Sequence, residues 1–143
     1  MSYITIPREF VNKIARHSLE VFPKEACGLL AGRGREVTRL YRLRNANDSE
    51  ATYALDPKEQ LGAMKDMEGE GLKLLAIYHS HTGSSASPSA TDVARAFFPG
   101  TREENFPGVA YVIASVTGKS MRELRAFLIR GQGVEEIEIR QSP

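Results

Sequence analysis

The stretch Tyr78-His79-Ser80-His81, followed after seven residues by Ser89-Ala90-Thr91-Asp92, holds the residue types best suited to metal chemistry in this chain. Alternate residues of a strand point to one face. His79 and His81 therefore present both imidazoles on one side of a strand end, with Ser80 on the other. A loop then returns the chain so that a carboxylate can approach the same point. Two imidazoles and one carboxylate suit a catalytic zinc, with the fourth position left to water. Such an ion lowers the pKa of its water to about 7. On residue types alone a second reading stands beside this one. His-x-His at a strand end can be a pair of exposed polar residues, and Ser89-Ala90-Thr91-Asp92 is also a helix capping box. For Ser89 and Asp92 the two readings are compatible, because a capped helix start holds a ligand rigidly.

The elements that must position these residues follow from periodicity and turn chemistry. Thr5 to Phe22 reads as a helix: Pro7 fits its first turn, and Phe10, Val11, Ile14, Ala15 and Ser18 share one face. Pro23 stops it. Ala26 to Ala31 is a short apolar run ending in Gly32, read as a buried strand, and Arg35 to Arg44 and Ala51 to Leu55 read as further strands. Asp56-Pro57-Lys58-Glu59 starts a second helix, which ends near Gly69 and Gly71. Leu72 to His81 is a strand and Ser89 to Phe98 a third helix. Gly108 to Val116, Arg122 to Arg130 and Val134 to Arg140 are the closing strands, separated by Gly-containing turns. This order predicts a single mixed α/β domain over 1–143, with helices packed on one sheet.

Composition excludes several classes. At 143 residues, 41% hydrophobic and 26% charged, the chain can bury a real core without disulfides. The single cysteine, Cys27, permits no intrachain bridge, which points to the cytoplasm. A net charge of +1 with scattered Lys and Arg leaves no footprint for nucleic acid or anionic lipid. The N-terminus has no basic, apolar leader pattern, and the longest apolar run, Leu74 to Tyr78, is too short to span a bilayer.

His79-x-His81, seven residues, then Ser89-x-x-Asp92 resembles the signature of the JAMM (MPN+) metalloprotease family. That family also carries a glutamate in a Glu-x-Cys-Gly-Leu-Leu-x-Gly context, matched here by Glu25-Ala26-Cys27-Gly28-Leu29-Leu30-Ala31-Gly32. The resemblance implies an MPN-type fold, cytidine-deaminase-like in outline, and one zinc held by His79, His81 and Asp92. It implies that Glu25 takes a proton from the attacking water and passes it to the leaving amine. Ser89 would donate a hydrogen bond to the oxyanion. The family's best-known members remove ubiquitin or ubiquitin-like tails. This compact chain lacks obvious ubiquitin-gripping insertions and is similar to the small stand-alone prokaryotic type, some of which process sulfur-carrier proteins. The expected substrate is therefore a ubiquitin-like or sulfur-carrier protein, cleaved after its C-terminal Gly-Gly. Its extended tail is expected to dock at a sheet edge, where glycines avoid side-chain clashes near the metal.

Other residues are read as structural. Cys27 sits in an apolar run and behaves as a small buried hydrophobe. His17 has no paired ligand and reads as a surface or packing residue. Arg102 to Asn105 reads as a solvated loop, with a substrate contact as the minority reading. A metal-free MPN-type scaffold is the competing function, although it has no need of Glu25, His79, His81 and Asp92 together. A zinc nucleoside deaminase needs His-x-Glu with Pro-Cys-x-x-Cys, which one cysteine cannot supply. A two-His, one-carboxylate iron oxygenase would leave Glu25 without a task.

Overall fold

The computed structural model describes residues 1–143. In chain order the elements are β1 (Tyr3–Thr5), α1 (Arg8–Val21), β2 (Cys27–Arg33), β3 (Glu36–Leu43), α2 (Pro57–Gly69), β4 (Lys73–His81), α3 (Ala90–Arg95), β5 (Ala110–Val116), β6 (Met121–Arg130) and β7 (Gly133–Arg140). The strands form one sheet in the order β1-β3-β2-β4-β5-β6-β7. Its ends meet, because β1 also pairs with β7 through Tyr3–Glu138, Ile4–Ile139 and Thr5–Arg140. The predicted mixed sheet with packed helices is therefore present, with the addition that it closes into a barrel. No helix is long and apolar enough to cross a membrane.

Two cores flank the sheet. One gathers Phe10, Val11 and Ile14 of α1 with Leu30, Ala76, Tyr78, Val112, Ala114 and Leu128 from the strands. The other gathers Ala63 and Met67 of α2 and Phe97 beyond α3 with Cys27, Leu29, Ile77 and Tyr111. Helices thus cover both faces, and β5, buried at every position, reads as the continuous apolar run such a central strand requires. Strand β4 runs antiparallel to β2 and parallel to β5. The β4–β5 crossover carries α3, which is how a helix start comes to lie beside the end of β4.

Three boundaries differ from the sequence reading. Thr5 is strand, not helix: its amide bonds the Arg35 carbonyl at 2.8 Å, and Ile6 bonds the Arg140 carbonyl at 2.8 Å, so the barrel seam claims both. Ala51 to Leu55 is no strand; apart from one bridge between Asn45 and Leu55 it runs as a loop over the sheet. Helix α3 stops at Arg95 because the chain turns to bury Phe97, and Asn105 bonds the freed carbonyls of Arg95 and Ala96 at 2.8 and 2.9 Å.

Candidate metal centre

Strand β4 delivers both histidines buried and on one face. His79 stands opposite Cys27 of β2, on the side of the Leu29 and Ile77 core. Ser80, on the other face, accepts the Ala26 amide through its Oγ at 2.8 Å. The Ser80 amide donates to the Ala26 carbonyl at 3.0 Å. Glu25 lies just before β2, close enough to His81 and Asp92 for their charges to act on its carboxyl.

Asp92 arrives through the capping box of α3. Ser89 Oγ accepts the Asp92 amide at 3.0 Å, and the Ser89 amide donates to Asp92 Oδ2 at 2.9 Å. The same Oδ2 lies 3.1 Å from His79 Nε2 and 2.9 Å from His81 Nε2, and the two nitrogens are 3.1 Å apart. The capping and ligand readings of Asp92 therefore coexist in one carboxylate. The three form a group able to hold a metal ion. Ligand bonds of about 2.0–2.2 Å to a tetrahedral ion require donor atoms roughly 3.3 Å apart, close to the spacing found. His81 Nδ1 donates to the Ser85 carbonyl at 2.7 Å, which turns Nε2 toward the cluster, where the protonated ring donates to Asp92 Oδ2 and the neutral ring offers a lone pair to a metal.

The electrostatics fit a cation. Burial alone would raise the Asp92 carboxyl, but hydrogen bonds from His79, His81 and the Ser89 amide hold it far below the usual carboxylate range. Burial lowers the pKa of His79. Glu25 is 4% exposed, and its Oε1 is a buried polar atom with no hydrogen-bond partner. Burial pushes its carboxyl up to about 7; Asp92 adds to the rise and His81 opposes it. A carboxyl that titrates near neutrality beside a metal-binding cluster can both take and return a proton.

The loop from Thr82 to Pro88 is pinned rather than loose. Beyond the His81–Ser85 bond, Ser115 Oγ donates to the Ser84 carbonyl at 2.7 Å, and the Ala86 amide bonds Glu123 at 3.2 Å. Two residues were missed by the sequence reading. The Tyr53 ring stacks on His79, with centroids 4.3 Å apart and planes at 21°. Asn45 bonds the Glu25 carbonyl at 3.1 Å. Neither follows a spacing rule, and a Tyr or Asn in a polar loop carries no signal on its own. Cavities of about 540 Å³, walled by Tyr53, Leu55, Phe97 and Tyr111, and about 630 Å³, walled by Thr82, Ser85, Thr117 and Arg122, adjoin the neighbours of the cluster rather than the donors themselves. Arg102 to Asn105 is an exposed to half-buried loop tied back to the fold: the Arg102 guanidinium bonds the Gly131 carbonyl at 2.8 Å, and Asn105 caps α3. The loop thus has a structural task.

The chain matches the family described as prokaryotic homologs of the JAB domain over residues 7–129, and it belongs to that family. The resemblance to JAMM (MPN+) proteins therefore holds. Among curated relatives, the chain is 42% identical over 131 residues to a Thermus thermophilus protein named "Probable TtuB-protein conjugate cleaving protease", covering 90% of this chain and 78% of that one. It is 36% identical over 135 residues to the CysO-cysteine peptidase of Mycobacterium tuberculosis, covering 93% and 87%. A solution structure from Desulfitobacterium hafniense superposes with a TM-score of 0.81 at 36% identity, covering 97% and 92%. For the fold alone, a JAB1/MPN domain protein from Archaeoglobus fulgidus gives a TM-score of 0.59 at 18% identity, covering 100% of each chain.

Proposed function

We propose that residues 1–143 act as one zinc-dependent peptidase domain in the cytoplasm. In this reading the enzyme hydrolyses the amide bond after the C-terminal Gly-Gly of a ubiquitin-like or sulfur-carrier protein. The carrying observation is the convergence of His79 Nε2, His81 Nε2 and Asp92 Oδ2 beside the unpartnered buried carboxyl of Glu25. His79, His81 and Asp92 hold the zinc, which when bound polarises the scissile carbonyl and acidifies a water. Glu25 accepts a proton from the attacking water and gives it to the departing amine. The Ser89 oxygen already accepts the Asp92 amide, so its hydroxyl proton is free to be donated to the developing oxyanion. The relatives' named activities on TtuB conjugates and on CysO-cysteine favour a small carrier protein as substrate.

The sheet closes through a short seam: β1 pairs with β3 only at Thr5–Glu36, so β3 beyond Glu36 keeps one edge free for strand addition by an extended tail. The loops 46–54 and 82–88, which border the cluster, offer further backbone for the tail to run along.

The test is a cleavage assay on carrier proteins extended beyond Gly-Gly, read by mass spectrometry. Wild-type protein with about one zinc per chain should cut at the junction. Glu25→Gln should keep zinc and fold while losing at least ~10²-fold in turnover. A fully active Glu25→Gln variant would remove Glu25 from the mechanism. Hydrolysis of short unrelated peptides with no cleavage of any carrier would replace the carrier substrate by a general peptidase.

A further inference from the structure

Asn45 lies outside the cluster, yet its carboxamide is saturated. Nδ2 donates to the carbonyls of Glu25 at 3.1 Å and Thr52 at 3.0 Å. Oδ1 accepts the amides of Asn47 and Ala54, both at 3.0 Å. Two donors and two lone pairs are all that an Asn side chain offers. These bonds join the Glu25 backbone to the loop 46–54, and the loop reaches the cluster at four more points. The Ser49 carbonyl accepts the Glu25 amide at 2.9 Å. The Glu50 carbonyl accepts the hydroxyl of Thr82, next to His81, at 3.0 Å. The Tyr53 carbonyl accepts Arg95, on the helix that carries Asp92, at 2.8 Å. The Tyr53 ring lies on His79.

Glu25 precedes β2, so strand pairing does not fix it. Both of its backbone polar groups are bonded to the segment 45–49 instead. We propose that Asn45 is a positioning residue, clamping the 46–54 loop to Glu25 and thereby setting the Glu25 carboxyl and the Tyr53 ring against the metal-binding cluster. The inference rests on the peptidase reading above. The energetic reason is that a displacement of about 1 Å at a reacting group can cost ~10²-fold in rate. Only a carboxamide fits the role. Asp at this position keeps the shape and accepts both amides, but it turns an anionic oxygen toward the carbonyls of Glu25 and Thr52.

The experiment compares Asn45→Asp and Asn45→Ala, alone and combined with Glu25→Gln, in the zinc-loaded full chain with a substrate that the wild type cleaves. The single variants should keep one zinc per chain and a KM within ~3-fold while kcat falls at least ~10-fold. In the Glu25→Gln background the same changes should cost less than ~2-fold, because the effect passes through Glu25. A second readout needs no turnover: in zinc-free protein, the Glu25 amide should exchange with deuterium at least ~10-fold faster in Asn45→Asp, with the Ile113 amide unchanged. Should Asn45→Ala fail to fold, Asn45→Asp carries both measurements. Equal losses of kcat with and without the Glu25 carboxylate, or a Glu25 amide exchanging at the wild-type rate, would overturn the proposal. A wild type that hydrolyses nothing counts against the peptidase reading, and the exchange rates then decide the role of Asn45 by themselves.

Discussion

Burial works against charge at Glu25, Cys27 and His17, with a different consequence at each. At Glu25 it yields a carboxyl near neutrality beside the metal-binding donors. At Cys27 it pushes the thiol up to about 12, so almost no thiolate exists at neutral pH, and Sγ points to the Leu43 carbonyl at 3.7 Å. Cys27→Ala should therefore fold and turn over normally at a packing cost of about 1 kcal/mol, measured by urea unfolding. Lost turnover in a folded, zinc-loaded Cys27→Ala protein would make the thiol a nucleophile after all. His17 is 6% exposed, with Nδ1 2.7 Å from the Tyr78 hydroxyl. Burial first, then the charge of Arg42, brings its pKa down from 6.5 to about 4. The unfolded chain takes up a proton below pH 6.5 that the folded chain refuses, so this contribution is complete above pH 6.5 and shrinks as pH falls toward 4. By pH 5 the loss is roughly 2 kcal/mol. In zinc-free protein, the drop in unfolding free energy from pH 7.5 to 5 should be smaller by about that amount in His17→Gln. Identical pH dependence in the two proteins would mean that His17 is not held neutral. The five candidate site residues could be read from the sequence because two local motifs carry them. Tyr53 and Asn45 could not, since each acts through a partner distant in the chain.

At the scale of elements, the glycine motif after Glu25 explains itself sterically. A Cβ on Gly28 would lie 2.4 Å from the Tyr41 carbonyl oxygen and 2.4 Å from Tyr78 Cε1. Gly28 of β2 thus makes room for the Tyr78 ring of β4, whose hydroxyl meets His17 on α1, so one missing side chain lets strand, strand and helix meet. Gly28→Ala should cost on the order of 1–3 kcal/mol by forcing these groups apart. The control is Gly62→Ala on α2, where a Cβ would meet nothing within 4 Å. That change should stabilise by about 0.5–1 kcal/mol by restricting the unfolded chain. Urea titration of both variants checks the pair, and a neutral Gly28→Ala would show that the strands yield without strain. Periodicity found α1, α2 and six of the seven strands, because each has a run of apolar residues or a clear turn at its ends. It mistook Ala51 to Leu55 for a strand because Thr, Tyr and Leu carry strand propensity, which decides nothing without a neighbouring strand to pair with.

At the scale of the molecule, closure and metal binding both depend on pairings between distant segments. The family match spans 7–129, whereas the seam is made by β1 at 3–5 and β7 at 133–140. A three-residue strand leaves almost no periodic trace, so the barrel could not be read from the sequence although the mixed sheet could. An ion held by His79, His81 and Asp92 would add a second tie, between the end of β4 and the start of α3 at the two ends of the Thr82–Pro88 loop. An ion that binds this folded arrangement and not the unfolded chain stabilises by RT ln(1 + [L]/Kd), about 2.7 kcal/mol at a hundredfold excess over Kd. For a domain of this size that corresponds to a rise in Tm of roughly 5–10 °C. Stripping zinc with a chelator should lower Tm by that amount, and restoring it should recover the loss. Asp92→Ala should show no zinc-dependent shift, because its cluster lacks the carboxylate, and should unfold somewhat below the zinc-free wild type, because the Ser89 amide loses its acceptor. Glu25→Gln should retain the full zinc-dependent shift, because Glu25 lies beside the donors without being one of them. A Tm that stays constant while elemental analysis records the loss of zinc would place the metal elsewhere than on His79, His81 and Asp92.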